Sequence, residues 1–171
     1  MRCKWSALER SNPYSVHAAG DRRAHVVEAM KGIEGEVMML IEQSGIVIPK
    51  GSYLELYHHL GIDNYREVGA AIVTCFNHDY CKKFIILLPG QTLPMHAHRI
   101  KEETFTLLYG DVDGLRVGET LHIEPVTPHS LYSKNGAVLE EISTKYLSGD
   151  SRYAIASIND NPNRKTRVRE F

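Results

Sequence analysis

The feature that most limits the possible folds is a succession of short β-like runs after Gly45, each ending at turn-forming residues. The runs cover residues 46–48, 53–56, 70–76, 83–88, 104–109, 121–123 and 138–144. Turn pairs such as Pro89-Gly90, Asp113-Gly114 and Asn135-Gly136 separate them. Many short strands at roughly regular spacing are typical of an antiparallel sandwich or a small barrel. The sequence therefore predicts an all-β domain over residues 46–171, with a polar C-terminal tail.

A different periodicity precedes the strands. Between residues 26 and 41, apolar side chains recur at spacings of three and four, with Asp21 as a candidate N-cap and Gly45 as a stop. This pattern predicts one amphipathic helix over residues 21–45 that packs on the outside of the sheet. Residues 1–20 mix Ser, Asn, Pro and Gly without periodicity, and we interpret them as a loosely held N-terminal arm.

Charge and hydropathy exclude several classes of function. Lys and Arg number 20 against 21 Asp and Glu, so no sequence-wide field attracts nucleic acid or an anionic membrane. No apolar run approaches the roughly 20 residues that span a bilayer, and residues 1–6 lack the apolar segment of a signal peptide. We expect a cytoplasmic protein. Three cysteines without CxxC spacing indicate neither disulfides nor a zinc knuckle, and Cys75 and Cys81 are expected to be buried.

Metal-ligating side chains are concentrated around residues 96–103. His96 and His98 stand at i and i+2 just after an apolar run, and alternate residues of a strand face the same side about 6.5 to 7 Å apart. Both rings can therefore converge on one ion. A bend after His98 would bring the carboxylate of Glu103 beside them, and His129, after two prolines, could supply a third imidazole.

This spacing resembles the cupin superfamily. Its first motif is matched without a gap by Gly90, His96, His98, Glu103 and Gly110. The resemblance implies a cupin barrel, that is, a double-stranded β-helix or jelly roll, here preceded by an N-terminal α-helix. It also implies one divalent ion, of Mn, Fe, Co, Ni or Zn, held by His96, His98, Glu103 and His129. Since cupin relatives commonly pair through sheet edges, we expect a homodimer.

The second cupin motif is matched only in part. Gly118, Pro125 and His129 are in place, but Thr127 stands where glycine is usual and Glu119 where aspartate is usual. The stretch between the motifs, residues 111–117, is shorter than in most cupins. We expect the metal site to survive these departures, which affect the shape of the pocket mouth instead.

A closer resemblance covers roughly residues 45–166. Segments such as 57–62, 66–69 and 164–166 look like the cupin domain at the C-terminus of some N-acetylneuraminate-synthase-like proteins. The synthase barrel itself is absent from these 171 residues, so that activity does not carry over. Residues 89–91 and 101–105 are also similar to small cupin-type D-lyxose isomerases. Both groups of relatives handle sugars, which implies a sugar or sugar-acid ligand.

In the isomerase comparison, Lys101 and Glu141 match the pair that moves protons. Strand alternation would place one of the adjacent carboxylates Glu140 and Glu141 inside the barrel, where apolar surroundings are expected to raise its pKa. A solvated Lys101 and a Glu141 on the outer face are the alternative. For His58 and His59 we expect structural hydrogen bonds, because consecutive strand residues point to opposite sides.

The first interpretation of function is therefore a metal-dependent aldose–ketose isomerase acting on a sugar or sugar acid. One rival is a non-catalytic, metal-containing sugar-binding or regulatory module related to the synthase domains. The other is an iron-dependent dioxygenase, which would use the same ligands with dioxygen.

Overall fold

A computed structural model describes residues 14–171 of the chain, with side chains described from residue 20 onward. Within these residues there are ten strands, two α-helices and a 3-10 turn at Ile62–Asn64. The helices are α1 (Tyr14–Ser44) and α2 (Ala156–Asn159). The strands are β1 (Tyr53–Tyr57), β2 (Ala70–Asn77), β3 (Tyr80–Leu87), β4 (Thr92–His98), β5 (Glu103–Gly110), β6 (Thr120–Ile123), β7 (His129–Tyr132), β8 (Ala137–Thr144), β9 (Ser151–Tyr153) and β10 (Lys165–Glu170).

The strands form two antiparallel sheets. The larger has the order β10-β1-β2-β3-β8-β5-β6, and the smaller has the order β7-β4-β9. Both sheets include neighbouring strands that are far apart in sequence, as when β8 inserts between β3 and β5. The predicted all-β barrel with an N-terminal helix is confirmed.

Helix α1 begins earlier than expected. It starts at Tyr14, so the prediction of an N-cap at Asp21 is wrong. The segment between Tyr14 and Asp21 contains no proline, and the strong helix formers Ala18 and Ala19 offset the unfavourable Gly20. Of the predicted N-terminal arm, residues 1–13 lie outside the described part of the chain.

The large sheet is buried on both faces where α1 covers it. Along β3, Phe84 and Ile86 pack with the helix, whereas Ile85 and Leu87 point into the barrel. Burial on both faces explains the continuous apolar run of residues 84–88. The helix contributes a stripe of buried side chains at helical spacing: Ile33, Val37, Leu40 and Ile41.

Gly110, the last residue of β5, lies against the backbone just before β8. Gly110 has a φ of 81°, and a Cβ there would overlap the carbonyl oxygen of Gly136. Only glycine combines this left-handed conformation with such close backbone approach. The last glycine of the first cupin motif is therefore explained by packing.

No helix within residues 14–171 is long and apolar enough to cross a membrane. Cys81 is buried as expected, Cys75 is half-buried, and both are free thiols. Cys3 lies outside the described residues.

Candidate metal centre

Four predicted ligands meet inside the barrel. Strand β4 supplies His96 and His98, and Glu103 and His129 are the first residues of β5 and β7. Each side chain is buried, with a residue exposure of 7% or less. One donor atom from each lies within 4.8 Å of the others. The structure therefore brings together the full set of predicted ligands.

A β-bulge turns the two histidines of β4 inward. The pairing of β4 with β7 shifts between Leu93 and His96, which places one extra residue on β4. Without the shift, strand alternation from the buried Leu93 would direct Met95 inward, but Met95 is 44% exposed. The bulge thus reverses the alternation, so that His96 and His98 face the cavity.

Hydrogen bonds fix the ring orientation of each histidine. The Nδ1 atoms of His96 and His129 lie 2.8 and 3.0 Å from the carbonyl oxygens of Pro94 and Thr127. A carbonyl only accepts, so in both rings Nδ1–H donates and Nε2 keeps a lone pair. His98 Nδ1 lies 3.2 Å from the Ser151 hydroxyl. This is the arrangement that orients metal-binding imidazoles.

The inner donor atoms have no hydrogen-bond partner among the described residues. His98 Nε2 and His129 Nε2 lie 3.2 and 3.1 Å from Glu103 Oε2, yet none of these three buried atoms makes an aligned hydrogen bond. Converging lone pairs of this kind repel one another unless a cation lies between them. Three imidazoles and one carboxylate suit Mn, Fe, Co, Ni or Zn, so the residues present fit a divalent ion.

Burial of His96 and the charge of Lys101 keep this cluster in its metal-binding protonation state. Desolvation, assisted by the neighbouring His129, lowers the pKa of His96 to about 3, so its ring is neutral. Burial acts to raise the pKa of Glu103, but the ammonium group of Lys101, which contacts the carboxylate, outweighs it and holds that pKa below the usual range. The cluster therefore offers a carboxylate and a neutral imidazole at neutral pH.

Lys101 and Glu141 lie beside the ligands. Both are buried, at 4% and 3% exposure, which excludes a solvated lysine and an outer-face glutamate. Lys101 Nζ contacts the Glu103 carboxylate and lies 3.1 Å from Glu141 Oε1. Ser143 donates a 2.9 Å hydrogen bond to the same Glu141 oxygen. The ammonium group of Lys101 therefore contacts both Glu103, a candidate metal ligand, and Glu141, the candidate base.

The sequence analysis missed Lys83. It pairs with Glu141 across β3 and β8, and its Nζ lies 3.3 Å from Glu141 Oε1. The expected rise in the pKa of Glu141 is wrong: burial does raise it, but Lys83 and Lys101 outweigh burial and lower the pKa. A signal was available, because Lys83 stands two residues before the inward-facing Ile85 and alternation places both on one side.

Asp150 is a second residue that sequence reasoning missed. It is 5% exposed, and its carboxylate accepts hydrogen bonds from the backbone N–H groups of Ile100 (3.1 Å) and Lys101 (3.0 Å). Its Oδ2 also lies 3.8 Å from His98 Nδ1. Asp150 therefore fixes the bend between His98 and Glu103. Its position in a loop after β8 gave no local signal.

A cavity of about 40 Å³ opens beside the ligand cluster. Lys83, Lys101 and Glu141 line it together with His96, His98 and Glu103. The half-buried lining residues Tyr57, Tyr146 and Ser151 form its rim. The volume holds about three water-sized groups.

Of three other histidines, His58 and His59 are buried and His122 is exposed. His58 Nε2 lies 2.9 Å from the Thr166 hydroxyl, as a structural role requires. The same prediction for His59 is wrong: it is 1% exposed between Tyr57 and Tyr153, and neither ring nitrogen has a hydrogen-bond partner in residues 14–171. It fills an aromatic part of the core. His122 is exposed near Glu102.

No family model matches the chain. Among solved structures, it is similar to the L-ribose isomerase of Acinetobacter sp. DL28 in complex with L-ribose, with a TM-score of 0.55 and 12% identity over 77% of this chain and 93% of that chain. The Cellulomonas parahominis L-ribose isomerase with L-ribose gives a TM-score of 0.49 and 14% identity over 73% and 90% of the two chains. A third similar structure is an uncharacterized conserved protein with a double-stranded beta-helix domain from Klebsiella pneumoniae subsp. pneumoniae MGH 78578. It gives a TM-score of 0.45 and 16% identity over 50% of this chain and 84% of that chain. The chain has the cupin fold.

Proposed function

We propose that this cupin-fold protein is a metal-dependent isomerase that interconverts the aldose and ketose forms of a sugar or sugar acid. One observation carries the proposal: the donor cluster of His96, His98, Glu103 and His129 is joined, inside one cavity, to the buried pair Lys101 and Glu141. The resemblance of Lys101 and Glu141 to the proton-moving pair of D-lyxose isomerases supports it. The fold is also that of an L-ribose isomerase.

The ligand cluster would hold the catalytic ion. A divalent ion bound there supplies Lewis-acid stabilisation of the negative charge that develops on sugar oxygens during enolisation. His96, His98 and His129 contribute no charge, and Glu103 contributes one negative charge, so the site keeps a net positive charge of about one toward the substrate.

Glu141 is the proposed base. Because its pKa lies below the usual range, its carboxylate is ionised at neutral pH and can accept a proton. In the aldose-to-ketose direction it removes the proton from C2 and returns it to C1. The hydrogen bond from Ser143 and the two ammonium groups orient its Oε1.

Lys101 completes the proton balance. Its ammonium donates a proton to O1 as the C1 carbonyl becomes a hydroxyl, and it recovers a proton from the O2 hydroxyl as C2 becomes the carbonyl. Burial acts to lower the pKa of Lys101, but Glu141 and Glu103 outweigh it and keep that pKa above the usual lysine range. The lysine is therefore charged before each turnover.

The cavity fits only the reacting end of such a substrate. Its volume of about 40 Å³ accommodates C1, C2 and their oxygens, and the rest of an open-chain sugar would extend toward the rim at Tyr57 and Tyr146. Aromatic faces at a rim pack well against the C–H groups of a sugar chain.

The test uses protein stripped of metal and reloaded with Mn²⁺, assayed against a panel of aldoses, ketoses and uronates. We expect interconversion of at least one pair, and none with the His96→Ala variant. If the ion fills the site and no sugar is converted, the protein is a binding module instead. Oxygen uptake coupled to substrate loss would indicate the dioxygenase.

We also propose that the protein is a homodimer. Strands β6 and β10 end the larger sheet, so each presents one unpaired edge within the described fold. Light scattering at micromolar concentration tests this, and the mass of a single chain would contradict it.

A further inference from the structure

The cavity wall carries an unusual balance of buried charge. Two ammonium groups, Lys83 and Lys101, face two carboxylates, Glu103 and Glu141, and all four residues are less than 5% exposed. Without an ion these charges cancel. A divalent ion at the donor cluster would add two positive charges, so the ion and these four side chains together would carry an excess of two. The carboxylate of Asp150 is directed at the bend before Glu103, and including it still leaves one positive charge in excess.

An excess charge inside a barrel is unfavourable unless an anion accompanies it. With Asp150 counted, the excess is one charge, which a carboxylate matches and a phosphate, with nearly two negative charges, exceeds. A neutral sugar would leave the imbalance in place. The charge count therefore favours a ligand with one carboxylate.

The ammonium group of Lys83 has N–H groups that make no hydrogen bond within the described structure. Its side chain is 6% exposed, and its one hydrogen bond within the described structure, to Glu141 Oε1, is long at 3.3 Å. That oxygen also accepts from Lys101 and Ser143. An ammonium has three N–H donors, so two remain for a ligand.

Lys83 lies between the proposed base and the rim, with its Nζ 3.3 Å from Glu141 Oε1. Its Nζ lies 4.7 Å from the ring centre of Tyr146, a rim residue. Lys101, by contrast, contacts the ligand Glu103 directly. A chain whose reacting carbons lie at the metal cluster would pass Lys83 on its way to the rim.

We infer that Lys83 binds a carboxylate at the end of the substrate remote from the reacting carbons, so that the substrate is a sugar acid rather than a neutral sugar. This inference rests on the proposed function and restricts its substrate to sugar acids. Charge-assisted hydrogen bonds from an ammonium to a carboxylate are among the stronger polar contacts.

The test compares ligands that cannot be isomerised. L-gulonate and D-glucitol are open-chain molecules with the same hydroxyl configuration, and they differ only in one terminal carboxylate. D-galactonate and galactitol form a second such pair. Binding of each to the Mn²⁺-loaded protein is measured by calorimetry. We expect the acid to bind about tenfold or more tightly than the alcohol in at least one pair.

The variants separate Lys83 from the ion, because a carboxylate can also bind the ion directly. In Lys83→Met and Lys83→Gln the preference for the acid should disappear, so that the ratio of acid affinity to alcohol affinity falls to about one. Lys82→Met is the matched control: Lys82 precedes Lys83 but pairs with Glu140 on the outer face, so the preference should remain.

Two results would overturn the inference. One is a wild-type protein that binds acid and alcohol equally in both pairs. The other is a folded Lys83 variant that keeps the full preference, since the ion alone would then be the anion receptor. Neither result depends on turnover, so failure of the isomerase assay is a separate outcome.

Discussion

Lys83 and Glu141 are directly paired across β3 and β8, and their side chains meet inside the barrel with Nζ 3.3 Å from Oε1. This contact helps to determine the protonation state of the Glu141 carboxyl group. A carboxylate in a purely apolar barrel would be protonated more readily, whereas one held between Lys83 and Lys101 stays ionised. Glu141 is therefore prepared to accept a proton rather than to donate one.

Glu141→Gln should separate catalysis from metal binding. We expect kcat to fall by about 10²- to 10⁴-fold, because the amide cannot accept the C2 proton, with Mn²⁺ still bound. The free energy of unfolding should fall by about 3 kcal/mol, since Lys83 loses its buried partner.

Glu140→Gln is the matched control for Glu141→Gln. Glu140 pairs with Lys82 on the outer face, where both side chains are partly exposed. Its loss should cost less than about 1 kcal/mol and leave kcat unchanged. Equal effects of the two substitutions on kcat would contradict the role given to Glu141.

Asp150→Ala should weaken metal binding without removing a ligand. The buried N–H group of Lys101 and the partly buried N–H group of Ile100 would lose their acceptor, which costs about 1 to 3 kcal/mol. Affinity for Mn²⁺ should fall by about 10- to 100-fold, as when outer-shell partners of a metal site are removed. Asp111→Ala is the control, because Asp111 accepts similar bonds from Lys134 and Asn135 in an exposed turn. Unchanged Mn²⁺ affinity in Asp150→Ala would refute this role.

Acidification should destabilise the metal-free protein through its buried neutral histidines. Burial lowers the pKa of His59 to about 3 from the model-peptide value of 6.5, so the unfolded chain binds a proton that the folded chain excludes. Above pH 6.5 this histidine is neutral in both states and has little effect on stability. As the pH falls below 6.5, protonation of the unfolded chain lowers the free energy of unfolding. Between pH 7.5 and pH 5 the loss from this residue is about 2 kcal/mol.

The substitution His59→Phe tests that origin. Phenylalanine suits the aromatic surroundings of Tyr57 and Tyr153 and does not titrate. Urea unfolding at the two pH values should show a drop in stability smaller by about 2 kcal/mol than in the metal-free wild type. An unchanged drop would assign the pH dependence to other groups.

Gly110→Ala should be far more damaging than Gly114→Ala. Both glycines have a φ near 80°, but a Cβ at Gly110 meets the Gly136 carbonyl, whereas a Cβ at Gly114 meets nothing within 4 Å. The left-handed conformation alone costs alanine about 1 to 2 kcal/mol, and the overlap at Gly110 should add about 1 to 3 kcal/mol. Denaturant midpoints compare the two, and equal losses would show that the close approach is unimportant.

The clustering of three metal ligands could be predicted because its signal is local, whereas the cupin barrel and the complete ligand set with His129 followed from the resemblance to cupins. His96, His98 and Glu103 lie within one short stretch, and strand alternation together with turn glycines relates them directly. Lys83 and Asp150 act through pairing with residues far along the chain, and one sequence does not specify which strands are neighbours. The pKa direction of Glu141 was wrong for the same reason, since it depends on Lys83.

The most direct test of the account is the location of the ion. Crystals of Mn²⁺-loaded protein, measured at a wavelength where manganese scatters anomalously, should show one strong peak within about 2.3 Å of a donor atom of each of His96, His98, Glu103 and His129. Such a peak would place the ion where the unpartnered donor atoms converge. A fully loaded crystal with the manganese elsewhere, or with fewer than three of these side chains bound to it, would contradict the central claim.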